Sequence, residues 1–260
     1  MPMRWTLAGL VTLTMIAPTN VAMAGEIRVL CSNGMKAAMV DLVPLFERTT
    51  KHTVVIDYGV SADLKRQIEK GAPFDLAILT SALIDDLIAQ GRIARDTRVT
   101  LARSSMALAI RAGTPKPDIR TTDALTRVLL SSTSISYARE GASSVFFGQL
   151  VQRLNLTEAL TSRTRLTATG AEAAASVARG EAQLAVLPVS EILPVAGVEV
   201  LGTFPGELRG YLVMVAGTNT AAVQNTAARE LITFLTAPAA RPVLEKKGME
   251  PGSPTPEARK

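Results

Sequence analysis

Small hydroxyl and flexible residues occur at three points where a short apolar run gives way to a segment of helical periodicity. The three junctions are Ser32-Asn33-Gly34, Gly59-Val60-Ser61 and Gly141-Ala142-Ser143-Ser144. The first turn of a helix has N–H groups without intrahelical partners and carries the positive end of the helix dipole, so such junctions bind anions. Each junction alone is also typical of an ordinary helix cap. Because successive strand ends line one crevice in an open α/β sheet, together they predict a single anion-binding crevice.

Two basic residues lie close in sequence to these junctions, Lys36 after the first and Arg139 before the third. Either could neutralise a carboxylate ligand, although solvated surface charge is the ordinary role of such residues. Arg66, one turn into the helix that follows Ser61, is expected to face solvent. The crevice is therefore predicted to hold its anion mainly through neutral donors, with Lys36 and Arg139 as candidate charge partners.

Several other kinds of chemistry are excluded by the residue inventory. Cys31 is the only cysteine and His52 the only histidine, so neither an intramolecular disulfide nor a metal site of the His/Cys kind is expected. No phosphate-cradling loop, nucleophile elbow or dinucleotide fingerprint occurs, and no cofactor is predicted. The formal net charge is +5, but the basic residues are scattered and aromatic residues are few, so no nucleic-acid partner is expected.

The first 24 residues have the pattern of a secretory signal peptide. Arg4 precedes an apolar run from Trp5 to Ala17, and Ala22-Met23-Ala24 offers small residues for cleavage after Ala24. A membrane anchor is the alternative, but the run is shorter than the roughly 20 residues that a spanning helix needs. The sequence predicts export to the periplasm and a mature monomer that begins at Gly25.

From Ile27 onward, short β-branched runs alternate with segments of helical periodicity, which is typical of an α/β fold with largely parallel strands. The long run Val99–Arg111 is expected to include a strand that crosses between two parts of the chain. Gly113–Pro117 has the composition of a linker. The other expected strands are Ile27–Ser32, Val54–Tyr58, Asp75–Leu79, Ser134–Ala138, Thr164–Thr169, Leu184–Leu187, Val198–Thr203 and Tyr211–Ala216.

The stretch Val60–Leu76 resembles the signature of bacterial molybdate-binding proteins, in which a serine precedes a helix and a Gly-Ala-Pro-x-Asp turn. Val177–Leu184 and Val200–Pro205 are similar to the second half of the same family. The resemblance implies an α/β type II periplasmic-binding-protein fold with two lobes joined by two hinge strands and a ligand cleft between them. It divides the chain into lobe one (25–104 and 205–250), lobe two (105–204) and a disordered tail (251–260). It also implies a receptor that delivers a small anion to an inner-membrane ABC permease.

The family's ligand positions fall on this sequence unevenly. Its second-loop serine matches Ser61, and its donor at the helix start of the second lobe matches Ser143, with Ser144 beside it. Gly170 takes another backbone-donor position.

Two further ligand positions depart from the family. Its first-loop serine falls on Gly34, with Ser32 and Asn33 as substitutes, and its tyrosine donor falls on Pro188, which has neither a hydroxyl nor an N–H group. The smaller side chains at 34 and 188 are expected to enlarge the crevice. They favour an organic polycarboxylate over molybdate, tungstate or sulfate as the ligand.

A second, narrower resemblance concerns Arg111–Ile119, Ser134–Ala138 and Val177–Leu184, which look like periplasmic aconitate isomerases built on the same scaffold. It implies an enzyme that interconverts unsaturated tricarboxylates as the alternative function. Moving a double bond needs a group that removes and returns a proton, and Glu140 is the candidate for that role. A sensor that reports the ligand without transporting it is a third reading.

Overall fold

The computed structural model describes residues 25–222 and 225–252, so the predicted leader, its cleavage site and residues 253–260 lie outside the described residues. The strands are β1 (Glu26–Ser32), β2 (Thr53–Gly59), β3 (Leu76–Thr80), β4 (Val99–Arg111), β5 (Ile135–Ala138), β6 (Thr164–Thr167), β7 (Leu184–Pro188), β8 (Val198–Thr203), β9 (Tyr211–Thr218) and β10 (Glu250–Pro251). The helices are α1 (Asn33–Thr50), α2 (Ser61–Glu69), α3 (Ser81–Ala89), α4 (Thr122–Ser131), α5 (Ala142–Arg153), α6 (Thr157–Thr161), α7 (Gly170–Ala178), α8 (Val189–Ile192), α9 (Asn225–Thr236) and α10 (Arg241–Lys246).

The strands form a mixed sheet in the order β2-β1-β3-β9-β4-β7-β5-β6. The pairs β1/β2, β1/β3, β5/β6 and β5/β7 are parallel, whereas β9 runs antiparallel to both β3 and β4. This arrangement confirms the predicted α/β fold class, but the expectation of largely parallel strands is wrong, since β4 also pairs antiparallel with β7, β8 and β10.

Strand β4 connects the two parts of this sheet. Its first part, Val99–Ser105, pairs with β9, and its second part pairs with β7 and β8. The long apolar run predicted to cross between two parts of the chain does so, because it carries enough β-branched and apolar residues for 13 residues of strand.

Helix α1 shows how the sequence places the first helix start at the sheet edge. Its apolar residues recur with helical spacing, and Met35, Met39 and Phe46 are fully buried. They pack against β1, β3 and β9 and against apolar residues of α9 and α10. The helix ends at Lys51, which adopts the left-handed conformation with φ 65°. Burial of one face therefore fixes the direction in which the N-terminus of α1 points.

The remaining core is divided among further apolar clusters. Residues of β4, β5 and β7 pack with α4 and α5 around Phe147 and Phe204, and the alanine-rich face of α7 packs against β4 and β7. Cys31 is buried in the first cluster, and burial raises the pKa of its thiol well above the usual range. No helix in the described ranges is long and apolar enough to cross a membrane.

Three elements were not predicted from the sequence: the short helices α6 and α8 and the strand β10. Helix α8 begins directly after Pro188, which ends β7 and starts the helix with an extended backbone. Strand β10 pairs with β4, with Pro251 opposite Ala102, so the chain is still in the sheet where the disordered tail was expected to begin. A proline is tolerated there because the strand is short and lies at an edge.

Candidate ligand-binding cleft

Four helices begin at one small cavity. Helices α1, α2 and α5 each start where a strand or its loop ends, and α7 starts three residues after β6. Their first residues surround a cavity of about 40 Å³. Its lining consists of Ser32, Asn33, Gly59, Val60, Ser61, Thr80, Ala138, Glu140, Gly141, Ala142, Ser143, Gly170, Glu191 and Leu212. The strand-to-helix junctions singled out from the sequence therefore meet at one place.

The first turns of these helices retain donors for a ligand. Helices α1, α2 and α5 have no side chain that caps their first N–H groups. Helix α7 is capped, since the Thr169 hydroxyl accepts a hydrogen bond from the N–H of Glu172. The uncapped N–H groups, together with the helix dipoles, make the cavity favourable for negative charge.

The Ser61 hydroxyl is the clearest sign of a missing partner. Ser61 is 5 % exposed, and in the described part of the chain its Oγ has no hydrogen-bond partner. A buried hydroxyl without a partner costs about 1–3 kcal/mol, so such atoms are rare unless something else binds them. Because Ser61 also lines the cavity, its hydroxyl is available to a ligand.

Glu191 is the cavity residue that the sequence reasoning missed. It lies on α8, and its carboxyl group is enclosed by protein although the residue as a whole is only partly buried. One carboxylate oxygen, Oε2, lies where a Cβ on Gly170 would have to be, and Oε1 is 3.6 Å from the ideal Cβ position of Gly34. Burial raises the pKa of the Glu191 carboxyl to about 7. The only sequence signal was an acidic residue inside the run Leu184–Leu193, which is apolar apart from it and Ser190.

Five of the predicted ligand residues line the cavity: Ser32, Asn33, Ser61, Ser143 and Gly170.

Four predicted site residues do not line it. A Cβ on Gly34 would overlap Leu212, so the crevice is not enlarged at this point, contrary to the expectation. The Ser144 hydroxyl donates to the Gly141 carbonyl oxygen at 3.0 Å and caps its own turn. The Lys36 ammonium lies 5.4 Å from the centre of the Tyr58 ring, and Arg139 is exposed. The two expected charge partners are therefore placed outside the cavity.

Pro188 also lies away from the cavity. It is buried at the end of β7, opposite Met106 of β4. The expected enlargement at this position is wrong as well, because α8 follows directly and brings Glu191 to the cavity instead.

An ion pair crosses the mouth of the cavity. The guanidinium of Arg66 donates two hydrogen bonds to Oε2 of Glu140, both at 3.1 Å, and also pairs with Asp63. Arg66 is exposed, as expected, and its side chain reaches from α2 to the loop before α5. Glu140 lines the cavity but is exposed and held by this arginine, which suits a contact across the mouth better than proton transfer.

A larger cavity of about 680 Å³ adjoins the small one and shares five lining residues with it: Ser61, Thr80, Gly141, Ala142 and Leu212. Its walls include Phe146 and the exposed side chain of Val145. The charged residues around it are Arg153, Glu207 and Arg209. The cleft thus joins a small polar end, formed by helix starts, to a wider apolar part with room for a carbon skeleton.

Metal binding has no support from the described residues, where no group of three or more His, Cys, Asp or Glu side chains could hold an ion.

Comparison with known proteins gives consistent likenesses along the chain. Residues 27–250 match the family model described as bacterial extracellular solute-binding protein. Over 231 residues the chain is 28 % identical to aconitate isomerase of Pseudomonas sp., covering 86 % of this chain and 87 % of that protein. Over 238 residues it is 29 % identical to the molybdate-binding protein ModA of Azotobacter vinelandii, covering 87 % and 90 %.

Solved structures share the fold at lower identity. The periplasmic molybdate-binding protein of Azotobacter vinelandii superimposes with a TM-score of 0.74 at 20 % identity, covering 87 % of this chain and all of that one. The sulfate-binding protein SubI of Mycobacterium tuberculosis H37Rv gives a TM-score of 0.71 at 17 % identity, with 87 % of each chain covered. These likenesses confirm the predicted periplasmic-binding-protein fold.

Proposed function

This chain belongs to the family of bacterial extracellular solute-binding proteins, and we propose that it is the receptor of an ABC-type importer for a small organic anion. Its relatives include proteins named for molybdate and sulfate binding. Binding proteins of this kind bind small anions and work with ABC permeases, which are the partners proposed here.

One observation carries the proposal: the buried Ser61 hydroxyl without a partner, at a cavity where four helices begin. An anion in this cavity would give the hydroxyl its missing hydrogen-bond partner and would meet the uncapped N–H groups of α1, α2 and α5. Ser32 and Ser143 line the same cavity and offer further hydroxyls.

An organic carboxylate suits this cleft better than a tetrahedral metal oxyanion. An oxyanion held without counter-charge needs a fixed donor for nearly every lone pair, and Leu212 stands where a side chain on Gly34 would place one. The adjoining cavity of about 680 Å³ offers apolar walls that a small inorganic ion would leave unused.

The proposal includes two lobes that close on the ligand by hinge motion. Lobe one comprises residues 25–104 and 205–250, and lobe two comprises 105–204. The double pairing of β4 supports a crossing near residue 105, and the separate apolar clusters support two packed units. Export through a cleaved leader and a monomeric state complete the proposal.

Calorimetric titration tests it directly. The protein is unfolded, freed of carried-over ligand and refolded, then titrated with citrate, trans-aconitate and molybdate. We expect micromolar or tighter binding of at least one carboxylate and weaker binding of molybdate. Molybdate binding at that strength without any carboxylate response overturns the choice of ligand, and absence of all binding overturns the receptor.

An isomerase of unsaturated tricarboxylates is the second candidate, and Glu191 is the observation that favours it. A carboxyl group with a pKa of about 7 can both remove and return a proton at neutral pH. The Glu191 carboxylate would take a proton from the ligand methylene, the double bond would shift by one carbon, and the proton would return to the far carbon. Incubation with cis- and trans-aconitate followed by chromatography tests this. Activity must be present in the wild type, lost in Glu191→Gln and kept in Glu140→Gln.

A further inference from the structure

The Glu191 carboxylate stands inside an anion-binding cavity, although the charge of an anionic ligand would repel it. Helix α8 packs against α1 and α7, and this packing holds the carboxylate between Gly34 and Gly170 at the starts of those helices. Gly170 leaves room for it, whereas a Cβ on Gly34 would meet Oε1 at 3.6 Å, an ordinary contact. A side chain at residue 170 would occupy the same space, so the absence of a Cβ and the position of the carboxylate depend on each other.

No positive side chain neutralises this group within the described residues. The only other titratable side chain that lines the cavity is Glu140, which is itself acidic and paired with Arg66. The Glu191 carboxyl has neither a hydrogen bond nor an ion pair in the described part of the chain, so it keeps its full capacity to accept hydrogen bonds. Above its pKa of about 7 the Glu191 carboxyl is ionised and can only accept hydrogen bonds, which means that a ligand atom facing it must then donate.

We propose that Glu191 is a specificity-determining residue that accepts a hydrogen bond from a ligand hydroxyl, so that the cleft selects hydroxycarboxylates and rejects anions without such a donor. The inference rests on the proposed importer function and deepens it. The ligand carboxylate lies on the helix starts beside Ser61, and its hydroxyl faces Glu191.

Electrostatics explains why the selection is strong. Two negative groups in contact repel each other strongly where water is excluded, and added salt screens them little. Molybdate and sulfate carry no proton at neutral pH and would present only acceptor oxygens to Glu191. A hydroxyl turns the same contact into a charge-assisted hydrogen bond. Sites built to bond a hydroxyl reject analogues that lack it far more strongly than apolar pockets reject a missing methylene.

Available space supports the same ligand class. The polar end has a volume of only about 40 Å³, which accommodates little more than a carboxylate, whereas the adjoining cavity of about 680 Å³ can hold the rest of a carbon skeleton.

Matched ligand pairs provide the test. Ligand-stripped wild type, Glu191→Gln and the control Glu158→Gln, an exposed residue of α6 that lines neither cavity, are titrated at about pH 8.5, where Glu191 is ionised, with citrate and with tricarballylate, which is citrate without its hydroxyl. Malate with succinate forms a second pair, and molybdate is the fifth probe. We expect the wild type to prefer the hydroxylated member of a pair by roughly tenfold or more. Glu191→Gln, whose amide can donate as well as accept, should lose most of that preference and gain affinity for molybdate. Glu158→Gln should keep the wild-type preference.

The outcomes separate this inference from the proposed function. Equal wild-type affinities for citrate and tricarballylate overturn the role of Glu191 while leaving an anion receptor in place. The ratio of the wild-type affinities for the two members of a ligand pair is measured without any variant. The inference can therefore still be tested if Glu191→Gln fails to fold. A preference that persists in a folded Glu191→Gln also overturns the role. If neither the wild type nor Glu191→Gln binds any of the five probes, the receptor proposal fails and this inference fails with it.

Discussion

Leu212 and Gly34 share one space: a terminal methyl of Leu212 lies where the side chain of residue 34 would have to begin. Leu212 is buried on β9 and belongs to the same apolar cluster as α1. An apolar side chain from a distant strand therefore occupies the space that a serine at residue 34 would need. A hydroxyl cannot be placed there without moving that leucine.

Gly34→Ser is expected to destabilise the protein by about 1–3 kcal/mol, because the new side chain overlaps Leu212 in a packed core. Urea unfolding measures the loss. The double variant Gly34→Ser with Leu212→Ala should be less destabilised than the sum of the two single changes, since Leu212→Ala removes the crowding and the serine side chain fills part of the cavity that the leucine leaves. Strict additivity would falsify the steric explanation.

Gly170→Ala tests the close approach of the Glu191 carboxylate to Gly170. Its methyl group would occupy the position of Glu191 Oε2, so the carboxylate must move or the helix start must shift. We expect a loss of about 1–3 kcal/mol in the free energy of unfolding. Gly148→Ala is the matched control, because a Cβ there meets nothing within 4 Å and should stabilise α5 by about 0.5–1 kcal/mol. Equal effects of the two substitutions would argue against the Glu191 contact.

Ser61→Ala separates binding from folding. The hydroxyl has no partner in the described residues, so its removal should leave the Tm of the ligand-free protein unchanged or slightly higher. Ligand affinity should fall by about 1–3 kcal/mol, the cost of an acceptor left short of one donor. Ser144→Ala, which removes a hydroxyl bonded to Gly141, should leave calorimetric affinity close to that of the wild type. An unchanged affinity in Ser61→Ala removes the serine from the site.

The pH dependence of stability reports on Glu191. Burial raises the pKa of its carboxyl from its ordinary value of 4.5 to about 7 in the folded protein. Below about pH 4.5 the group is protonated in both states and costs nothing. Between pH 4.5 and 7 the unfolded chain releases the proton first, so the wild type loses stability as pH rises.

The free energy of unfolding of Glu191→Gln should therefore rise relative to that of the wild type by up to about 3 kcal/mol between pH 4.5 and 7. No further rise is expected above pH 7. Denaturant titrations at pH 4.5, 6 and 7.5 follow the difference between the two proteins. A difference that does not change with pH would show that the carboxyl is well solvated.

The sequence predicted the elements with strong local patterns and missed the contacts between distant ones. The apolar spacing of α1 and the long run of β4 were sufficient to place both. Helix α8 has four residues, too few for a period, and β10 contains a proline, so neither had a usable signal.

The residues of the candidate cleft also fall into those that a local pattern predicted and those that distant elements contribute. Ser61 and Ser143 were found because helix starts have a local signature. Glu191 was missed, and crevice enlargement at Gly34 was wrongly expected, because a carboxylate and a leucine from later strands and helices fill the space. The residues adjacent in sequence to Glu191 and Leu212 do not indicate which distant residues these side chains contact.

The position of β9 between β3 and β4 has a consequence for the order of folding. Leu76 of β3 pairs with Thr218, so this part of the sheet can form only after most of the chain has been synthesised. Contacts between such distant residues slow folding, and a chain that ends before Tyr211 leaves the facing edges of β3 and β4 without a partner. Unpaired apolar strand edges recruit other chains, so premature termination would yield an aggregating fragment rather than a smaller folded protein.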